Sequence, residues 1–199
     1  MTGGGFVALG FLKIFRTFEF ISRGTGASSS LNATIAALAP SIGSLLVTGH
    51  SLGAALSSLT ALALAVTNPG GVKGKITSFT FASPRVGLLD FASSFHCNIN
   101  KSFRVWNVLD IVPEFPTFPF IHVGGHGDAL VQTAGQLETL RLTPPCEHHL
   151  TSYQWLLDAD NFNLNAECDR SLEAGLESVG EDGASVGAEA MARAMGGRG

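Results

Sequence analysis

Apolar residues recur at helical spacing through residues 11–21 (Phe11, Leu12, Ile14, Phe15, Phe18, Ile21), which predicts a helix there. A Gly/Ser loop over 23–30 follows, then a short helix over 31–38 that stops before Pro40. The compact apolar run at 44–48 reads as a buried strand, and the Ala- and Leu-rich stretch 52–67 as a helix ended by Asn68-Pro69-Gly70-Gly71. Residues 75–82 alternate as a strand, 88–95 read as a helix, and 102–108 as another strand. Three prolines make 113–119 irregular. Short strands are expected at 121–123, 129–133 and 137–142, and a final helix over 148–157. Strands alternating with helices predict an α/β fold, a mostly parallel sheet flanked by helices.

From Ser171 the pattern is lost. Glu173, Glu177, Glu181, Asp182 and Glu189 face only Arg193 and Arg198, among Gly, Ala and Ser. Such a segment buries too little apolar surface to offset its ordering entropy, so 171–199 reads as a disordered or loosely helical tail outside a domain of residues 1–170. A chain of 199 residues suits one domain with a sizeable core. Its net charge of −4, with no basic patch, excludes a nucleic-acid-binding role. The longest apolar run, 52–66, is interrupted by Ser57, Ser58 and Thr60 and is too short for a membrane span. The N-terminal M-T-G-G-G-F-V-A-L-G-F-L has no basic region and no clear cleavage site, so no signal peptide is read there. None of this assigns a compartment. The three cysteines read as free thiols, although Cys146 and Cys168 are placed to pair across the last helix.

The chemistry concentrates at residues 45–53, L-L-V-T-G-H-S-L-G. A strand runs into G-x-S-x-G and out into a helix, which is the context a nucleophile elbow requires. A serine is a weak nucleophile unless its hydroxyl is exposed and aligned with a base. The elbow holds Ser51 in a strained turn, Gly49 and Gly53 leave room for the close backbones, and the Leu52 N–H is aimed as an oxyanion donor. Such elbows take their acid and then their histidine later in the chain. Asp110, just past a strand in N-V-L-D-I-V-P, is the best-placed carboxylate; Asp90 in a helix and Asp128 in a Gly-rich turn are weaker. His50 lies inside the elbow and is expected to point away from the nucleophile, and His96 precedes the acid. His122 and His126 flank two glycines, and no spacing completes a metal site. His148 and His149 remain as the base, late in the chain and opening a helix. Serine chemistry of this kind needs no metal and no cofactor.

These pieces together resemble the class 3 lipases, the fungal-lipase-like α/β-hydrolases. V-A-L-G-F at 7–11 is similar to the family's V-H-x-G-F, with Ala8 where the family usually has His. T-G-H-S-L-G-A-A-L at 48–56 is similar to its elbow, F-A-S-P-R-V-G at 81–87 to its G-x-P-R-V-G, and R-V-W-N-V-L-D-I-V-P at 104–113 to its acid motif. H-V-G at 122–124 and H-H-L-T-S-Y at 148–153 complete the likeness, which runs from about 7 to 157. The resemblance implies Ser51 as nucleophile, Asp110 as acid and His148 as base, with His149 an alternative base because the His-to-Tyr spacing varies. Family members also carry, before V-H-x-G-F, first strands ending in R-G-[TS] and a lid. Only six residues precede Val7 here, and Arg23-Gly24-Thr25 stands in the wrong place. The resemblance therefore implies an N-terminally truncated domain with first strands, lid and second oxyanion donor missing. The implied activity is a serine carboxylic ester hydrolase of lipids, triacylglycerol lipase-like, acting through an acyl-enzyme. Alternatives are a phospholipase or galactolipase, a small-ester esterase, or a weakly active lipase-like binding module. The partner so implied is a lipid or other ester, with transient contact at a lipid surface.

Overall fold

The computed structural model describes residues 5–21, 23–124, 129–130 and 134–172. Helix α1 (Leu9–Phe15) is shorter than the apolar periodicity predicts. Thr17 ends it: its hydroxyl and its N–H both donate to the Ile14 carbonyl, at 2.7 and 3.0 Å, which closes the last turn tightly. The chain then turns into a small hairpin, β1 (Phe20–Ile21) against β2 (Ser28–Ser29), where a helix and then a loop were expected. Phe18 and Phe20 fit a two-residue alternation as well as a helical one, so the pattern alone did not separate the two. Ser30 caps α2 (Leu31–Leu38) through its hydroxyl, which accepts the Ala33 N–H.

The central sheet is parallel. Strands β3 (Leu45–His50), β4 (Ile76–Phe81) and β5 (Lys101–Asn107) lie side by side in that order, with the short β6 (Ala129–Leu130) beyond β5. Gly49 pairs with Thr80 and His50 with Phe81, so the elbow emerges at the carboxyl end of the edge strand β3. Helix α3 (Leu52–Thr67) follows without a connecting loop and packs on one sheet face with α4 (Leu89–Asn98). Ala54, Ala55, Ala61 and Ala65 are buried and let α3 sit low on the sheet, with Val47, Ile76, Phe91 and Phe95 filling the space around them. Ser57 and Ser58 are buried in the same helix, and both hydroxyls donate to the Ala54 carbonyl at 2.9 Å. On the opposite face Phe79, Phe81 and Val105 pack with Ala82 and Tyr153.

Residues 121–123 form no strand. Ile121 makes a single antiparallel bridge to Gly87, whose other side bridges Val7. Gly87 is required there, because a Cβ would lie 2.5 Å from the Phe6 carbonyl oxygen and 2.7 Å from Phe91. The strand expected at 129–133 is described only as β6, and 131–133 lie outside the described residues. The strand expected at 137–142 is instead helix α5 (Ala134–Thr139) followed by buried Leu140. Its Ala, Gln, Leu and Glu are strong helix formers, and their propensity outweighs the short apolar alternation. The single helix expected over 148–157 is two helices, α6 (Pro144–His148) and α7 (Leu150–Leu157), broken at His149. Nearly all of the tail assigned to 171–199 lies outside the described residues, which end at Leu172. No single helix among the described residues is long and apolar enough to cross a membrane.

The reading of three free thiols is corrected. Cys146 and Cys168 form a disulfide, with Cα atoms 5.3 Å apart, while Cys97 is free and exposed. Both bridged residues are buried with Leu140, because the chain folds back after α7 and returns to α6. The bridge closes a loop of 22 residues that carries α7 and the two histidines His148 and His149. A loop of that size restricts the unfolded chain enough to stabilise the fold by about 3 kcal/mol. The double variant Cys146→Ser/Cys168→Ser is therefore expected to lose about that much stability, read from urea unfolding at matched pH.

Candidate active site

Ser51 stands between β3 and α3 with φ 57° and ψ −127°. A serine at the start of a helix ordinarily caps it, accepting an N–H of the first turn. In this left-handed conformation its hydroxyl makes no such cap. Instead Ser51 Oγ lies 2.7 Å from His148 Nε2. The backbone strain has two visible supports. Ser51 N–H donates to the Phe81 carbonyl at 3.0 Å, continuing the β3–β4 ladder through the turn. Gly49 lets the helix return over the strand, since a Cβ there would collide with the Gly53 carbonyl. Gly53 itself would accept a Cβ, with nothing within 4 Å, so only one of the two elbow glycines is sterically required.

His148 bridges the serine to a carboxylate. Its Nδ1 lies 2.8 Å from Asp110 Oδ2. A carboxylate only accepts, so Nδ1 carries the proton and Nε2 is left to accept from the serine hydroxyl. Asp110 is buried, and every one of its oxygen contacts is an accepted bond. Oδ1 takes the Val112 N–H at 2.9 Å, and Oδ2 takes the Tyr153 hydroxyl at 2.7 Å as well as His148. These donors satisfy a charge that its apolar neighbours Leu109, Ile111 and Val112 would otherwise leave stranded.

His149 is placed differently. Its Nδ1 accepts the Thr151 N–H at 3.3 Å, and its extended backbone breaks the chain between α6 and α7, so it caps α7 rather than facing Ser51. The break directs the two adjacent histidines apart. Helix α6 has three carbonyls near its end, and each finds a donor. The Cys146 oxygen takes the His149 N–H, the Glu147 oxygen takes Asn107 Nδ2 at 3.1 Å, and the His148 oxygen takes His50 Nε2 at 2.8 Å.

Three residues of this network were given no role by the sequence. Tyr153 is the chain's single tyrosine. It is fully buried, donates to Asp110 and accepts the Asn107 N–H at 2.9 Å. Burial and the nearby Asp110 push its hydroxyl well above the ordinary tyrosine range, so it stays protonated and keeps donating. A lone tyrosine on an amphipathic helix was a usable signal, since a buried phenol requires partners. Asn107 is also fully buried, and its amide links the acid loop to α6. His50 lies with its ring centroid 4.8 Å from that of His148.

Leu52 begins α3, and a first-turn N–H has no acceptor within its own helix. Leu52 thus stands at the positive end of the α3 dipole, and it borders one space together with Ser51. That space opens into a groove of about 330 Å³ walled by Phe11, Leu52, Ile111, Val112, Phe115 and Pro116. Phe118 and Phe120, close by in sequence, do not line it. Arg85 holds one wall in place: its N–H donates to the Phe115 carbonyl at 2.8 Å and its guanidinium pairs with Glu114 at 2.6 Å. Two larger grooves, of 410 and 420 Å³, lie between α1 and α3 and beside β3. Neither includes Ser51, Asp110 or His148, so size does not mark the chemistry here.

The weaker candidates fall elsewhere. Asp90 accepts the Phe6 and Phe91 N–H groups at the start of α4. His96 Nε2 accepts the Gly124 N–H at 3.2 Å. Burial, with Arg104 and Arg85 beside it, pushes His122 down to about 4, so it is neutral at neutral pH. Asp128 and His126 lie outside the described residues. Among the described residues no group of three or more His, Cys, Asp and Glu side chains could hold a metal ion.

The chain is similar to known phospholipases and lipases. The phospholipase A1-II 3 of Oryza sativa subsp. japonica is 36% identical over 146 residues, which are 69% of this chain and 30% of that protein. The triacylglyceride lipase of Rhizomucor miehei superposes with a TM-score of 0.51 at 32% identity, over 62% of this chain and 44% of that one. A triacylglycerol lipase described as having a serine protease triad as its catalytic centre gives a TM-score of 0.53 at 30% identity, over 65% of this chain and 46% of that one. The chain spans about a third of the length of the curated relatives it matches. Residues 1–120, with the elbow and Asp110 among them, match the model of the family described as Lipase (class 3); the segment carrying His148 lies past that span. That match covers more than half of this chain, the fold is shared with those lipases, and the chain belongs to the class 3 lipase family.

Proposed function

We propose that this chain hydrolyses carboxylic esters of lipids, with Ser51 as nucleophile, His148 as general base and Asp110 as the orienting acid. The observation that carries the reading is the unbroken hydrogen-bond chain Ser51 Oγ–His148 Nε2 and His148 Nδ1–Asp110 Oδ2, at 2.7 and 2.8 Å. In this reaction Ser51 Oγ attacks the ester carbonyl while His148 Nε2 takes its proton. The carbonyl oxygen becomes an oxyanion, and the Leu52 N–H donates to it. The tetrahedral centre collapses as His148 returns the proton to the leaving alcohol, which departs and leaves an acyl group on Ser51. Water then attacks that ester through the same base, releasing the fatty acid and restoring the serine. Asp110 stays ionised throughout and fixes the tautomer and direction of the ring.

The apolar groove beside Ser51 suits an acyl chain, and we assign acylglycerols as the substrate class. A second reading, hydrolysis of phospholipids, is favoured by the naming of the curated relatives as phospholipases A1. One experiment addresses both. A p-nitrophenyl alkylphosphonate should label the protein at one equivalent, with the adduct mapping to the peptide that carries Ser51. Initial rates on emulsified triacylglycerol and on phosphatidylcholine vesicles then rank the head groups. A protein that takes no label and releases no fatty acid from either substrate is a lipase-like binding module, and the hydrolase reading is wrong.

A further inference from the structure

We propose that His50 is a positioning residue for the base: from the nucleophile's own turn it holds the backbone of His148, and so sets where the His148 ring meets Ser51. This rests on the reading of Ser51, His148 and Asp110 as the reacting groups. His148 ends a five-residue helix and is followed by a break, so local structure alone fixes it poorly. Its partner Ser51 is 97 residues away in sequence. The two neighbours His50 and Ser51 grip the same residue at two points. Ser51 Oγ meets the ring at Nε2, and His50 Nε2 meets the main-chain oxygen at 2.8 Å. A carbonyl only accepts, so His50 donates through Nε2 and leaves Nδ1 bare. Two attachments from one rigid turn define both distance and direction, which a single contact to the ring does not.

The surroundings of His50 suit that task. His148 faces it with rings tilted by 34°, and Tyr153 meets it edge-on at 5.7 Å. His148, Asp110 and His149 are the charged or titratable groups that act on it, with Tyr153 packed alongside. Burial, more than any of these, holds His50 below the ordinary histidine range; the His148 carbonyl and Asp110 oppose that, and the two other histidines add to it. A neutral ring can lie against His148 when that residue takes up the serine proton, whereas a second cation there would oppose the transfer.

The test is a pair of variants with opposite properties. His50→Phe keeps a ring against Tyr153 and removes the donor; His50→Gln gives up the ring and keeps an N–H. On a short p-nitrophenyl ester, His50→Phe is expected to lower kcat by about tenfold or more with KM little changed, because a small misplacement of the base acts on the reaction rather than on binding. His50→Gln should recover most of that loss, and phosphonylation of Ser51 should slow in the same order. A purely structural role would make activity follow the folded fraction and the melting temperature instead, and would not favour Gln over Phe. Wild-type kcat in His50→Phe, or equal loss in both variants, overturns the assignment while the site reading stands. Retained hydrolysis in Ser51→Ala overturns the site reading, and this proposal with it.

Discussion

Ser51→Ala and His148→Ala are each expected to lower kcat by on the order of 10⁴- to 10⁶-fold, and the double variant hardly further. In the proposed reaction the hydroxyl and the imidazole are two parts of one proton transfer. Without the base the hydroxyl is an ordinary alcohol, and without the hydroxyl the base has nothing to activate. Their 2.7 Å contact places no other side chain between them. KM should move little in either variant, since His148 does not line the apolar groove and Ser51 lines it only among larger apolar residues. The neighbouring histidine is the control. His149→Ala should keep most of the turnover and lose roughly 1 kcal/mol of stability, as a lost helix cap does. Steady-state rates on p-nitrophenyl butyrate with urea unfolding of the same samples give both readouts. Loss of turnover in His149→Ala with activity retained in His148→Ala would transfer the role of base to His149.

Asp110→Asn should cost about 10⁴-fold in kcat while leaving the shape of the site nearly intact. The reason is visible in the hydrogen bonds. Both carboxylate oxygens only accept: Oδ1 from the Val112 N–H, Oδ2 from the His148 ring and the Tyr153 hydroxyl. An asparagine has one acceptor end and one donor end. If its NH₂ faces His148, the ring must accept at Nδ1, move its proton to Nε2, and present a donor to a serine that needs an acceptor. If the NH₂ faces Val112 instead, two donors meet in a buried place. Each orientation fails one partner, so stability should also fall, by about 1–3 kcal/mol. Tyr153→Phe is the milder companion, since Asp110 keeps two of its three donors. Turnover of Asp110→Asn within tenfold of the wild type would mean that the ring is oriented by something other than this carboxylate.

What the sequence determined by itself is what short-range pattern can carry. The elbow is legible because a strand, a turn and a small-residue helix must be contiguous for the turn to form, and β3, Ser51 and α3 are contiguous. Asp110 is legible because it lies just past a strand whose alternation is plain, and α2, α3, β4 and β5 lie within a few residues of their predicted bounds. Segments whose apolar residues fit two periods were not decided that way. Residues 16–21 and 137–139 could be helix or strand by pattern, and local propensity and side-chain bonds settled them as hairpin and helix. The choice between His148 and His149 was beyond pattern for a related reason. Adjacent residues share a sequence context, and only the chain break at His149, set by its role as cap to α7, sends one ring to Ser51 and the other to Thr151. The Cys146–Cys168 bridge, the bonds of Tyr153 to Asn107 and Asp110 and the bond of His50 to the His148 carbonyl join positions 22 to 98 residues apart. Such pairings leave no periodic trace along a single chain; they exist because parallel strands and returning helices bring distant residues together, and only the tertiary structure decides which of them meet.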